Sequence, residues 1–151
     1  MATNLSDHFT LEELVLSQTA AREGIDNTPS PEIVENLRRL AGVLEEVRNL
    51  LGGVAILISS GYRSPALNRA VKGANKSAHM DGLAADFTAP RFGPVLEVAN
   101  KIAASSIAYD QLIHEFGSWV HIGLAVSGAP RRENLSIFTG TGYLSGIRAR
   151  A

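Results

Sequence analysis

Between Ser60 and Phe87 the chain reads S-G-Y-R-S-P-A-L-N-R-A-V-K-G-A-N-K-S-A-H-M-D-G-L-A-A-D-F. An arginine sits in a Gly-Tyr-Arg-Ser turn, a histidine and an aspartate stand seven apart, and glycines lie between them. That composition suits a site better than a core element. Leu83 to Phe87 reads as a short strand, so Asp86 is a carboxylate among apolar neighbours, where a buried charge needs a cation or several donors. Trp119 to Leu124 is a second apolar strand, and it carries His121. His79, Asp86 and His121 together make a three-ligand set of the kind that holds a catalytic zinc ion and leaves a fourth position for water. Imidazole and carboxylate ligands also suit other divalent metals, and softness alone does not choose among them. Taken alone, His79 reads as a loop histidine without a role; the other two candidate ligands change that reading.

These residues carry a resemblance. Ser60-Gly61-Tyr62-Arg63-Ser64, Asn68, Gly73, Ser77-x-His79 with Gly82 and Asp86, and Trp119-x-His121 resemble the M15 family of zinc D-Ala-D-Ala peptidases, in particular its phage and prophage cell-wall peptidases. The likeness runs from Phe9 to about Phe138. It implies one Zn2+ per chain, peptidoglycan stem peptides as substrate, and D-Ala-D-Ala carboxypeptidase or endolysin-type endopeptidase activity. It also implies the DD-peptidase (hedgehog-like) fold.

A zinc peptidase needs a base for the bound water. In many relatives a carboxylate stands three residues before the last histidine, but here that position is Ser118. The nearest carboxylate is Glu115, which is expected to be the catalytic base, with His114 as the alternative acid or base. A two-residue turn at Gly117-Ser118 sets His114 opposite His121 and turns Glu115 to the other face. A three-residue loop or bulge is expected to bring Glu115 opposite His121 instead. Ser118 also keeps open a non-enzymatic reading, in which the chain is a metal-bound peptidoglycan-binding, phage structural or lysis protein.

Arg63, in a tight turn at a strand end, has the planar fork of donors that binds a carboxylate or a developing oxyanion, as the matching arginine does in relatives. Its plainer role is a salt bridge to Asp86 or Asp110. Ser77 is expected to contact substrate or to orient a ligand. Tyr62, Trp119 and Asn68 shape the site, the first two against substrate. His8, beside a helix cap, is given no role.

The elements that position these groups follow from local signals. Thr10 and Glu13 form a capping box, with Phe9 and Leu14 placed as a hydrophobic staple, and Gly24 is a stop for that first helix. Ser30 and Pro31 begin a long helix in which Ile33, Leu37, Leu40, Leu44, Val47 and Leu51 recur at spacings of three and four. Its charges form the solvated face. Val54 to Ser59, bounded by Gly52-Gly53, reads as a buried strand that delivers Arg63 to the sheet edge. Ser64-Pro65 starts a short helix, and the polar loop from Lys72 to Gly82 carries His79. Val95, Val98, Ala99, Ile102 and Ala103 mark a helix packed on the sheet, and Gln111 to Leu124 forms a hairpin. Arg131 to Phe138 is expected to add a third antiparallel strand.

This order predicts an α+β fold, with helices against one face of a small, mainly antiparallel sheet and the site on the other. Residues 1–138 are expected to be a single zinc peptidase domain and 139–151 a loosely docked or disordered tail. The chain of 151 residues needs no second domain. Its composition, 45% hydrophobic and 19% charged, is that of a globular protein and not a disordered one. A net charge of -1 argues against a nucleic-acid partner. The absence of cysteine excludes disulfides and thiolate ligands. Met1 to His8 lacks the basic and apolar regions of a signal peptide, and the longest apolar run is far too short to span a membrane. The expectation is therefore a chain made in the cytoplasm without membrane insertion and acting as a monomer; if its substrate is the cell wall, as the resemblance implies, it is expected to reach it through a lysis pore.

Overall fold

The computed structural model describes residues 3–150. Six strands form one sheet in the order β1-β2-β4-β3-β5-β6, with β1 Leu57–Ser60, β2 Ala84–Thr88, β3 Gln111–Glu115, β4 Trp119–Gly123, β5 Glu133–Phe138 and β6 Gly142–Ser145. All neighbours are antiparallel except β3 and β5. The fold is α+β, as expected. Because side chains alternate along a strand, Ala85, Phe87, Leu112, Val120 and Ile122 fall on one face and join the core, which leaves Asp86 and His121 on the other.

The core is closed by α3, Pro31–Leu50, and α5, Val95–Ala103. Ser30 accepts a hydrogen bond from the Ile33 amide, so the long helix starts where the cap and proline require. Leu37, Leu40, Leu44 and Val47 are fully buried. At the N-terminus both halves of the Thr10–Glu13 capping box are made, but the helix they open, α1, ends at Val15. The single helix expected to reach Gly24 is broken in two: Ser17 caps a second, α2, Gln18–Glu23, by accepting from the Ala20 amide. Gly24, at φ 66°, stops that second helix.

Three expectations about strands are corrected. The first strand is Leu57–Ser60 rather than a buried run from Val54, and it is half-exposed because it is an edge with a neighbour on one side only. The strand after Arg131 runs parallel to β3, not antiparallel. Both edges of β4 are already taken by β2 and β3, so the chain leaving β4 at Gly123, beside Gln111, finds its free edge at the start of β3 and runs alongside it. The segment after Phe138 is not a loose tail: β6 pairs with β5, the Gly146 amide donates to Asn134, and the Arg148 amide donates to Ser136 Oγ. Gly140 and Gly142, at φ 81° and 68°, make the reversal between the two strands, so the glycine-rich run encodes a turn rather than an absence of structure. Ala151 and the first two residues lie outside the described residues. No helix among them is long and apolar enough to cross a membrane.

Candidate metal centre

His79 lies in a single 3-10 turn, Ala78–Asp81, capped by Ser77, whose Oγ accepts from the His79 amide. The Gly61-Tyr62-Arg63 segment holds this turn at two points. The Arg63 amide donates to the His79 carbonyl at 3.0 Å, and His79 Nδ1 donates to the Gly61 carbonyl at 2.7 Å. That second bond fixes the tautomer and leaves the Nε2 lone pair facing inward, the arrangement usual for a metal-ligating imidazole. Gly61 must be glycine, since a Cβ there would stand 2.2 Å from the Leu14 carbonyl oxygen. Gly82 then turns the chain into β2 at φ 71°.

Asp86 and His121 are directly opposed on β2 and β4. His121 Nδ1 lies 2.9 Å and His79 Nε2 3.3 Å from Asp86 Oδ1. The three residues each offer one ligand atom, all within 4.8 Å of one another. Burial alone would raise the Asp86 carboxyl, but the hydrogen bond from His121, together with the bond and the positive charge that His79 and His121 supply when protonated, holds it well below the usual carboxylate range. Burial pushes His79 below the ordinary histidine value, against the opposing pull of Asp86, and so favours the neutral ring. An ionised carboxylate and a neutral, pre-oriented imidazole are the protonation states a metal requires, so the donor set fits a divalent ion.

The β3–β4 loop is three residues, Phe116 to Ser118, with Phe116 and Gly117 at φ 58° and 65°. It therefore closes on the pair Glu115–Trp119, and Ile113, not Glu115, stands opposite His121. The expected opposition of Glu115 to His121 is corrected by one step of two residues, which preserves the face. Glu115 Oε2 lies 4.0 Å from His121 Nδ1 and accepts from Trp119 Nε1 at 3.0 Å. Burial raises the Glu115 carboxyl, and the nearby charge of Asp86 raises it further. His114 points to the opposite face, where it is buried edge-on to Phe138 and donates from Nδ1 to the Arg148 carbonyl. That placement removes it as the alternative acid or base.

Arg63 has no ion-pair partner among the described residues; Asp110 is taken by Arg131. Its Nε is buried without a partner, and Nη2 reaches Ser77 Oγ only at 3.5 Å. Burial weakens its hold on the proton, while the charges of Asp86 and Glu115 strengthen it. The guanidinium is thus placed beside both carboxylates yet bonded to neither. Arg63, Ser77, His79, Asp86, Glu115, Trp119 and His121 all line one cleft of about 700 Å³. Tyr62 does not; it is buried and lines a neighbouring depression. Asn68 is buried beneath Gly73, where a Cβ would meet its Oδ1 at 2.0 Å. Tyr143 also lines the cleft, from a strand that local sequence signals did not disclose. Its one signal was a large aromatic in an otherwise small, glycine-rich run.

Residues 7–123 match the family described as Peptidase M15. None of the curated proteins matches the chain.

Proposed function

The chain belongs to the peptidase M15 family, whose members are zinc metallopeptidases, and from that premise we propose that it hydrolyses peptide bonds in peptidoglycan stem peptides. The observation that carries the reading is the convergence of His79, Asp86 and His121 with Glu115 and an unpaired Arg63 in one cleft. The peptidoglycan assignment rests on the likeness of the Ser60 to Asp86 motif and of Trp119-x-His121 to cell-wall peptidases. His79, Asp86 and His121 would hold one zinc ion, which when bound polarises a carbonyl and brings the pKa of its water to about 7.

Glu115 is the group that takes a proton. Trp119 holds its Oε2, which leaves Oε1 without a protein partner among the described residues and available to accept the proton and return it to the leaving amine nitrogen. Its raised carboxyl lies nearer neutrality than an exposed glutamate, which makes the return of the proton easier. Arg63 presents fixed donors to the carbonyl oxygen as charge develops there, or to a substrate carboxylate. Because it is already desolvated and unpaired, it needs no bond broken before it acts. In this reading the protein works as a monomer on the cell wall, after release through a lysis pore.

Clearing of purified cell walls in a zymogram tests the proposal. The expected result is clearing that a chelator abolishes and added zinc restores; a protein that binds walls but clears nothing under either condition would overturn it.

A further inference from the structure

The loop that leaves β4 borders two cavities. One is the metal cleft; the other, of about 440 Å³, opens between the loop and α3 and falls within the range of small-ligand sites. Its walls are Gly42 and Val43 from the helix, Tyr109 from the segment before β3, and Leu124, Ala125 and Pro130 from the loop. None of the three candidate metal ligands borders it. Tyr109 gives it a fixed wall: the residue is buried, its hydroxyl donates to Asn134 Oδ1 at 2.6 Å, and the Arg132 guanidinium lies 4.5 Å from the ring centre.

Gly42 sits inside α3, where glycine is less stable than alanine. Packing does not require it there, because a Cβ would meet nothing within 4 Å. What the missing side chain does is keep this wall of the cavity open. Arg39 and Glu46 border the same cavity, seven residues apart on one face of the helix and hence about 10.5 Å apart along its axis. Arg39 donates from Nη2 to the Ala125 carbonyl at 3.1 Å, and neither side chain has an ion-pair partner among the described residues. A ligand that satisfies both ends carries a carboxylate and an ammonium at that separation, and three extended residues span about 10 Å. A phosphate would be repelled by Glu46 and a simple cation by Arg39. The small apolar residues between the two charges suit small apolar side chains.

We propose that this cavity binds a tripeptide of small residues with both ends free, its carboxylate at Arg39 and its ammonium at Glu46, and that occupancy slows the metal cleft. Leu124 and Ala125 line both cavities, and Arg39, which takes the ligand's carboxylate, also ties Ala125 to α3. Hydrolysis frees a carboxylate on one fragment and an amine on the other, so repeated cutting of a peptide yields this class of ligand. The regulatory part rests on the metallopeptidase reading above; the binding part does not.

The test is heteronuclear NMR of the zinc-loaded full chain titrated with trialanine, and with the same peptide acetylated and amidated. The backbone amides of Gly42, Ala108 and Gly128 are expected to shift with trialanine and not with the blocked peptide. Arg39→Gln and Glu46→Gln, both at exposed positions, should each weaken binding about two- to five-fold, the scale of an exposed ion pair. Gly42→Leu should abolish it by filling the cavity, with Tm not lowered, since leucine is the better helix former. Shifts confined to Ser77, Trp119 and their neighbours, or no shifts at all, would overturn the new site, as would equal binding of the blocked peptide or full binding by Gly42→Leu. For the coupling, kcat on a blocked stem-peptide reporter should fall about five-fold at saturating trialanine, the low end of ordinary coupling between sites, with KM little changed and no effect in Gly42→Leu. A rise in KM alone would mark competition in the cleft and overturn the coupling. Absence of turnover under every condition would overturn the metallopeptidase reading and the coupling with it, while the amide shifts still decide the cavity.

Discussion

His114 and Glu115 are consecutive on β3, and their surroundings differ in every respect that matters for chemistry. His114 is packed against Phe138 on the core side, with one ring nitrogen bonded to backbone and Nε2 buried without a partner. Glu115 lies on the cleft side with its carboxylate between Trp119 and the metal-binding residues. A strand has only two faces, so a loop one residue shorter would exchange them. What separates a structural histidine from a candidate base is thus the length of the connection to β4, not the chemistry of either side chain.

The contrast breaks most severely if its metal side is removed. His121→Ala is expected to bring bound zinc from one per chain to well below that, with activity lost; full zinc occupancy by metal analysis would show that the ligand set is different. Glu115→Gln should lower kcat by roughly 10² to 10⁴ with zinc still bound, because the amide keeps the size and loses the basicity. Retained turnover would take the base away from this face. Arg63→Lys should cost about ten-fold or more in kcat/KM, since an ammonium cannot reproduce the planar fork, without change in zinc content or folding. Near-normal kinetics would reduce Arg63 to a structural part of its turn.

Titration sharpens the same comparison in the chelated protein. The His79 value is depressed in the folded state, so the unfolded chain takes the proton first and stability falls as pH drops below the free histidine value of about 6.5. Asp86, also depressed, has the same sign: its contribution is fully present above the free carboxyl value of about 3.9 and is lost in stronger acid. Tm should therefore decline continuously from near-neutral pH downward, and a flat profile would mean that these groups are not coupled as their geometry indicates. The smallest effect belongs to the other face. His114→Leu should leave kcat/KM within about two-fold and shift stability by no more than about 1 to 2 kcal/mol, since it removes both one hydrogen bond and one orphaned polar atom. A large loss of activity with stability and zinc unchanged would give His114 a role that its position denies.

Much of the scaffold was legible because it is local. The Thr10, Ser30 and Ser64 caps are made where their sequence places them, and the spacing of Leu37, Leu40, Leu44 and Val47 gives a buried stripe. The three candidate ligands stood out for a different reason: an aspartate and a histidine on two apolar strands, with a second histidine in the loop before the first strand, have few uses, and their types and spacing resemble a known pattern. The break at Leu16-Ser17 was not legible, because Ser17 serves equally as a mid-helix serine or as a cap until the surrounding chain decides.

By itself, then, the sequence determined residue type, capping, periodicity and hence which groups were available to bind a metal, since these depend on interactions within a few residues. The tertiary structure alone decided which of those groups meet. The parallel placement of β5, the pairing of β6 that brings Tyr143 to the cleft, and the three-residue loop that turns Glu115 toward His121 are matters of long-range strand pairing. Phe116 illustrates why: it adopts φ 58°, a conformation costly for its residue type, because the pairing of Glu115 with Trp119 demands it. A local preference set against a sheet's worth of hydrogen bonds and buried apolar surface loses, and no inspection of the loop residues in isolation reveals that it will.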